Sequence, residues 1–470
     1  MNSYRYDGAE IDSVELKALL VSRGLKVDKD VYRLFSETHR LGVDPRECNC
    51  IILSDGTIVQ LTDMGFHLKY LSGILSWNNL KLLRYASKLA TPFSLRVSDG
   101  KPALFYNNNY IDTISLPPPT DFYRRRTALG TRFVGNSVLQ GLDWVSFQCL
   151  WPCEYAAGGR PCQFCFSGGD FETLAKKGKP LPPALDAADV GEITGYAVRE
   201  LGVSGVQLTG GSTMDGKSEA RHIREYLAAL EGLRGEADWR GEPQGKAAAT
   251  SRPPNGEPQG KAAATSRLPN GEPHDKAAAI SRLPNGELQG KAAATSRLPN
   301  GEPPRTALNE ILLYITPPND RGLIDEYFAL GATRVACSLE LWDTELAKTV
   351  TSGKVAFTTR ERHLDILAYI AEKHGPSKAF SNFIIGIEPF ESLSRGAAHL
   401  AERGILPTAS VWMPMGRPVL GSMTPPGVDY YRRTKELFAE LYTKHRLTPP
   451  ETRGLNVCIE SDILRYASGG

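Results

Sequence analysis

The stretch WVSFQCLWPCEYAAGGRPCQFC, residues 144–165, begins with a short apolar run typical of a buried strand and continues into a cysteine-rich loop. It holds four of the eight cysteines of the chain: Cys149, Cys153, Cys162 and Cys165. Half of the cysteines of a 470-residue chain therefore lie in one short segment, unlike the spread framework of a disulfide-stapled secreted domain. The pattern indicates metal ligands.

Strand-like and helix-like segments alternate along the chain after this stretch. Segments such as GVQLTGG (205–211) and FSNFIIG (380–386) are short and apolar, whereas 187–202 has the i, i+3, i+4 spacing of an amphipathic helix. This order predicts parallel strands joined by crossover helices. Six such units predict an α/β fold, a partial (β/α)6 TIM-like barrel over residues 141–445, with its active site at the carboxyl ends of the strands.

The residues before the barrel have a different pattern. Asp-Gly pairs at 55–56 and 99–100 separate apolar stretches, which predicts two hairpins, so residues 1–115 are expected to form a small α+β domain. A linker with three prolines and the run Arg124 to Arg126 follows over 116–140, and 446–470 are expected to form a C-terminal tail. We interpret the arginine run as a solvated face rather than an anion site.

Four near-identical 15-residue units run head to tail from Gly241 to Asn300. Each unit offers little more than alanines and a single leucine or proline against several polar residues, which is too little apolar surface to offset the entropy of ordering the chain. We predict a flexible, weakly basic insertion of the barrel. It falls in a helix-to-strand connection, on the face opposite to the predicted active site.

Composition and motifs leave several classes of function without support. The 55 basic and 53 acidic residues nearly cancel, which gives no reason to expect a nucleic-acid partner. No membrane-length apolar run and no leader sequence is present, so a cytoplasmic protein is expected. The chain lacks P-loop, G-x-S-x-G and H-E-x-x-H motifs, which removes the main support for kinase and hydrolase interpretations. The remaining cysteines, Cys48, Cys50, Cys337 and Cys458, are interpreted as packed or scattered side chains rather than a second cluster.

Two metal groups fit the cysteine pattern. A closed zinc site would use all four cysteines for structural purposes, in a zinc-stabilised barrel hydrolase or binding protein. An iron-sulfur cluster held by three thiolates would leave one iron open to a ligand. The position of the loop directly after the first barrel strand, beside Gly210 and Gly211 at the end of the second, favours a site at the barrel mouth.

These motifs resemble those of the radical S-adenosylmethionine (radical SAM) enzymes, in particular the biotin synthase-like branch. Phe164 before the last cysteine and the pair Gly210-Gly211 match the family pattern, as do CSLELWDTELAK (337–348), IIGIEPFES (384–392) and LPTASVWMPMGRPVLG (406–421). The resemblance covers about 140–440 without the repeat. The chain departs from the usual C-x3-C-x2-C spacing, having C-x8-C-x2-C from Cys153 or C-x12-C-x2-C from Cys149, and it has Ser212 where many members carry an acidic residue.

The resemblance implies a [4Fe-4S] cluster held by Cys153, Cys162 and Cys165, with Cys149 as the alternative to Cys153. It also implies S-adenosylmethionine as cofactor, with these residues around it: Phe164, Gly210, Gly211, Ser212 and Glu340. The expected activity is reductive cleavage of the cofactor to a 5′-deoxyadenosyl radical that acts on a small molecule or peptide. Such an enzyme is oxygen-sensitive and needs a reductant such as flavodoxin or ferredoxin.

No residue is assigned to catalysis on substrate. For Glu340 the alternative is a structural ion pair with Arg334 or Arg417, and Asp343 and Glu388 are weaker site candidates for the same reason.

Overall fold

The computed structural model describes residues 2–28, 30–31, 50–60, 91–118, 120–133, 136–147, 149–234, 307–413, 420, 423–455 and 457–467. The repeat at 241–300 and Cys48 lie outside these residues, so the predictions made for them stay predictions. The described residues belong to one compact unit, which shares a single large hydrophobic core.

The N-terminal part combines short strands with one helix. The strands are β1 (Ser3–Tyr6), β2 (Ala9–Asp12), β3 (Lys26–Val27), β4 (Cys50–Ile52), β5 (Ile58–Gln60), β6 (Phe93–Ser98), β7 (Lys101–Tyr106) and β8 (Asn109–Thr113), and the helix is α1 (Ser13–Arg23). Both predicted hairpins are confirmed, because β4 pairs antiparallel with β5 and β6 with β7. Asp99 and Gly100 both have positive φ, at 51° and 74°, as the tight turn requires. A capping box of Asp12 and Glu15 begins α1.

Seven strands of the described chain form the main sheet, in the order of the sequence. They are β9 (Ser137–Gln140), β10 (Trp144–Phe147), β11 (Gly205–Thr209), β12 (Glu310–Tyr314), β13 (Arg334–Ala336), β14 (Ala379–Ile385) and β15 (Leu406–Val411). The last six are parallel, and β9 pairs antiparallel with β10 at one edge. The predicted partial six-unit barrel is therefore confirmed, with one additional antiparallel strand.

The helices that follow α1 are α2 (Glu154–Ala157), α3 (Phe166–Lys176), α4 (Ala187–Leu201), α5 (Lys217–Leu230), α6 (Gly322–Ala329), α7 (Thr344–Val350), α8 (Ser352–Phe357), α9 (Arg360–His374), α10 (Phe390–Ala401), α11 (Val428–His445) and α12 (Glu460–Ala467). The predicted crossover helices correspond to α4, α5, α6, α9, α10 and α11. Helices α2, α7 and α8 were not predicted, because four to seven residues are too few to show a clear period, and the 11-residue α3 was also missed. All four surround the cysteine loop or follow β13.

The segments next to the barrel are integrated into its structure. Residues 137–140 of the expected linker form strand β9, and the expected C-terminal tail contains helix α12. Ser410 of β15 forms an antiparallel bridge with Cys458, so a C-terminal segment covers the edge of the sheet opposite to β9. Covering this edge pairs backbone groups that would otherwise be open to another strand. No described helix has the length and apolar character needed to cross a bilayer.

Candidate active site at the cysteine loop

The cysteine loop, residues 149–165, leaves the carboxyl end of β10, the first parallel strand. Gly210 and Gly211 follow β11 at the same edge, and Glu340 follows β13. The carboxyl ends of parallel strands meet at one face of a barrel, so the topology brings these three motifs to one mouth, as predicted.

The cysteine loop continues the backbone pairing of β10 with β11. Leu150 N donates to Thr209 O at 2.8 Å, Gly211 N to Trp151 O at 2.8 Å, and Glu154 N to Ser212 O at 2.9 Å. The indole of Trp151 also donates to the carbonyl of Gly211. The loop is thus held along its first half by backbone groups of the glycine segment.

Gly210 and Gly211 are required by this contact. A Cβ at Gly210 would lie 2.1 Å from Trp151 Cε2, and one at Gly211 would lie 2.2 Å from Cys153 N, far inside any contact that real Cβ atoms make. The sequence analysis attributed the pair to close approach of a ligand. In the structure the close approach is made by the cysteine loop itself, and contact of these glycines with a cofactor stays a prediction.

The four cysteine thiols interact with one another electrostatically. Burial raises the pKa of Cys149, with further contributions from Cys165 and Cys153. Burial also raises the pKa of Cys162, and the nearby Lys354 ammonium opposes this effect. Cys165 is the N-cap of α3 and accepts from Gly168 N at 3.4 Å. The thiol of Cys149 donates to the carbonyl of Trp151 at 2.9 Å.

The cysteine loop supplies soft thiol donors of the kind that hold iron-sulfur clusters. Within the described residues, no three His, Cys, Asp or Glu side chains form a group that would hold one metal ion, so the four-cysteine zinc alternative gains no support. Cys153, Cys162 and Cys165 supply three soft donors, and the Lys354 cation favours the thiolate form of Cys162 that a metal requires.

Glu340 lies at the mouth in an ion pair, but not with the partner expected. Its Oε1 is 2.5 Å from Nζ of Lys354, a residue of α8, and Asn382 Nδ2 donates to Oε2 at 3.4 Å. Arg334 instead pairs with Glu310 at 3.1 Å, and Arg417 lies outside the described residues. Burial lowers the pKa of Lys354, but the Glu340 carboxylate and Cys162 raise it by more, so the pKa lies above its usual value.

The backbone of Glu340 adopts an uncommon conformation, with φ at 69°. A non-glycine residue at positive φ costs about 1–3 kcal/mol and persists only where the surroundings hold it. The holding contacts are Glu340 N to Asn382 O at 3.0 Å and Ile384 N to Glu340 O at 2.9 Å. Neighbouring β14 therefore fixes the direction of this carboxylate.

Phe164 packs in a second apolar cluster with Leu341, Ile384, Ile387 and Trp412. These residues follow or end β13, β14 and β15, so the cluster lines the mouth beside the cysteine loop. Trp412 is buried, and its indole Nε1 has no hydrogen-bond partner in the described part of the chain. A buried donor without a partner is rare and leaves a polar contact for a ligand. Sequence reasoning missed Trp412, whose only signal was its place directly after a strand.

The weaker candidates have structural roles. Glu388 accepts from the backbone N of Trp342 at 3.0 Å and of Asp343 at 2.9 Å. Asp343 in turn caps α7. Among the arginines of the linker, Arg125 stacks on Tyr196 at 4.2 Å from the ring centroid, and Arg126 donates to Gly130 O. These contacts agree with the interpretation of the arginine run as a solvated face.

Glu219 is a buried carboxyl that the sequence analysis did not single out. It lies in the first turn of α5, where it accepts from Thr316 N at 2.8 Å and Thr213 Oγ1 at 3.4 Å, tying the ends of β11 and β12 together. Burial raises the pKa of Glu219 to about 7, although these hydrogen bonds oppose the rise. Its only sequence signal was an acidic residue on the apolar face of a helix.

We expect the free energy of unfolding to decrease as the pH rises, because of the Glu219 carboxyl. Because its pKa in the folded protein lies above the ordinary 4.5, Glu219 keeps its proton to higher pH in the folded than in the unfolded chain. Its contribution to the free energy of unfolding is therefore complete below pH 4.5 and is lost as the pH rises through about 7. The difference corresponds to about 3 kcal/mol. Urea unfolding across this pH range should show a smaller decline for Glu219→Gln, whereas Glu345→Gln, an exposed residue, should behave like wild type. Equal declines in wild type and Glu219→Gln would contradict the assignment.

The fold is a half-barrel with a cysteine loop at its mouth. Comparisons with known proteins show which proteins the chain is similar to. No family model matches the chain. It is 28% identical over 145 residues to the bacteriochlorophyllide c C-7(1)-hydroxylase of Chlorobaculum limnaeum. The match covers 30% of this chain, and the chain spans only 36% of the length of that relative.

Two solved structures of similar architecture are radical SAM enzymes. Coproporphyrinogen III oxidase from Escherichia coli is 12% identical, with 55% of this chain and 45% of that chain covered and a TM-score of 0.29. A radical SAM methyltransferase from Sphaerobacter thermophilus is 12% identical, with 84% and 91% covered and a TM-score of 0.34. The chain is thus similar to radical SAM enzymes, the class that its sequence motifs resemble. The narrower biotin synthase-like branch stays a prediction.

Proposed function

We propose that this chain is a radical SAM enzyme that binds a [4Fe-4S] cluster and S-adenosylmethionine at the cysteine loop and acts on a small molecule or peptide. The observation that carries the proposal is the cysteine loop itself. It follows the first parallel strand, is bonded along the glycine segment after β11, and lies beside the Lys354–Glu340 pair. The proposal includes a reductant such as flavodoxin or ferredoxin and a cytoplasmic, oxygen-sensitive protein.

Cys153, Cys162 and Cys165 would hold the cluster. Cys153 is preferred to Cys149 because the Cys149 thiol donates a hydrogen bond to the Trp151 carbonyl, which it would lose as a thiolate. When bound, the cluster supplies the electron that cleaves the sulfonium bond of the cofactor. The chain supplies position and exclusion of water.

The surrounding residues are suited to those tasks. The apolar cluster that contains Phe164 and Trp412 would exclude water from one side of the cofactor, with the unpartnered indole of Trp412 as a hydrogen-bond donor. The Glu340 carboxylate, held in one direction by Lys354 and Asn382, would accept hydrogen bonds from hydroxyl or amino groups. Preorganised polar groups of this kind lose little entropy on binding.

The test is formation of 5′-deoxyadenosine. Protein reconstituted anaerobically with iron and sulfide is reduced with dithionite in the presence of S-adenosylmethionine, and the product is followed by mass spectrometry. We expect product from wild type and from Cys337→Ala, a buried cysteine outside the loop, but none from Cys162→Ala. Absence of product from wild type that carries a full complement of iron would refute the proposal.

A further inference from the structure

Exposed apolar side chains are concentrated around the cysteine loop. Six large hydrophobic residues are exposed in the part of the chain that the structure describes: Val97, Tyr110, Leu129, Met214, Val355 and Phe357. Met214, Val355 and Phe357, with 51%, 44% and 48% of their surface exposed, follow the carboxyl ends of β11 and β13. Exposed apolar residues that gather at one place mark interaction sites. We call these three residues, with Tyr155 and Arg160, the apolar rim.

The residues between Cys153 and Cys162 pack against helix α8, which contains Val355 and Phe357 of the apolar rim. The ring of Tyr155 stacks on Phe357 with centroids 5.1 Å apart, and its hydroxyl is 3.2 Å from Thr358 Oγ1. Gly353 lies so close that a Cβ there would be 2.4 Å from Arg160 O. The extra length of the C-x8-C segment therefore forms an ordered support that holds Phe357 in place.

The same segment joins the other side of the apolar rim. Met214 N donates to Glu154 Oε2 at 2.6 Å, and Met214 Cε is 3.7 Å from the position of a Cβ on Gly158. Met214 and Phe357 thus flank one short segment of the cysteine loop. A methionine side chain is flexible and offers an apolar surface that adapts to the shape of a ligand.

A cation lies within the apolar rim. The exposed guanidinium of Arg160 is 5.8 Å from the centroid of the Phe357 ring, and it forms no ion pair with a described residue. Lys354, on the same helix as Phe357, is already paired with Glu340. An unoccupied guanidinium beside aromatic surface complements a ligand that has both an apolar body and an acidic group.

We propose that the apolar rim binds the substrate, and that the substrate is a largely apolar molecule carrying a carboxylate or another acidic group. This inference rests on the proposed function, because only chemistry at the cysteine loop makes a neighbouring surface a substrate site. Val355 and Phe357 are within one helical turn of Lys354, so a molecule on the apolar rim lies next to the Glu340 pair. The exposed apolar side chains and the Arg160 guanidinium thus favour substrates that combine an apolar body with an acidic group.

The first test is dye binding to the full chain by fluorescence titration. Anilinonaphthalene sulfonate has an aromatic body and an acidic group, and N-phenylnaphthylamine is its neutral counterpart. We expect Phe357→Ser to weaken binding of both dyes about tenfold. Arg160→Gln should weaken the sulfonate about fivefold and leave the neutral dye unchanged. Leu129→Ser, an exposed leucine elsewhere, is the matched control and should bind both dyes like wild type.

Several outcomes would overturn the inference. Unchanged dye binding by Phe357→Ser would show that the dyes bind elsewhere. A shift from dimer to monomer on Phe357→Ser would make the apolar rim a contact between copies of the chain. Slower reduction by flavodoxin with unchanged dye binding would make it a surface for the reductant. Formation of 5′-deoxyadenosine is measured in the same proteins: if wild type produces none, the proposed function fails, and with it the assignment of the bound molecule as substrate.

Discussion

Cys153→Ala is expected to lose the iron that the protein takes up on anaerobic reconstitution and to reduce 5′-deoxyadenosine formation at least about a thousandfold, whereas Cys149→Ala retains both. The two cysteines are four residues apart, and spacing alone does not separate them. We prefer Cys153 as the ligand, because the Cys149 thiol donates to the Trp151 carbonyl at 2.9 Å. A metal ligand must be a thiolate, and Cys149 would have to give up this hydrogen bond to become one.

Iron and sulfide content, the visible absorption spectrum and product formation are measured for both variants and for Cys337→Ala as control. Thermal unfolding of each apo-protein shows whether the fold survives the substitution, so that loss of iron is not mistaken for loss of structure. The reverse result, with iron lost only from Cys149→Ala, would exchange the two assignments. Loss of iron from both variants would indicate a cluster that needs all four cysteines.

The second large effect concerns a buried ion pair between the two ends of the chain. Lys17 of α1 and Asp462 of α12 lie 2.6 Å apart, with 0% and 1% of their side-chain surfaces exposed. Asp462→Ala leaves the Lys17 ammonium buried without its carboxylate, which should cost about 3–5 kcal/mol of unfolding free energy. The double variant Lys17→Met with Asp462→Ala removes both charges and should recover most of that loss.

Urea unfolding of the two variants measures this coupling. Glu345→Ala is the control, since it breaks the exposed pair with Lys348 and should change the unfolding free energy by no more than about 1 kcal/mol. A loss below about 1 kcal/mol for Asp462→Ala, or no recovery in the double variant, would show that the pair does not link the ends of the chain as argued. Arg465 also contacts Asp462, so Lys17→Met alone should cost less than Asp462→Ala.

The positions of the strands were accessible from the sequence because their signals are local. The apolar runs at 205–209, 310–314 and 379–385 each match a strand of the main sheet. The Asp-Gly turns also matched, since positive φ at the turn depends on two residues alone. Three helices near the site, α2, α7 and α8, were missed because four to seven residues carry too little periodicity.

The sequence by itself determined the order of strands and helices, the face on which the site lies and the identity of the cysteine loop, because each follows from neighbouring residues or from the handedness of parallel connections. Only the tertiary structure decided the partners of those residues. Lys354 rather than an arginine pairs with Glu340, Gly210 and Gly211 admit the loop of Trp151 and Cys153, and Tyr155 packs on Phe357. Except for the Lys354–Glu340 pair, these contacts join residues more than fifty positions apart, and steric fit and burial select them from many possible partners.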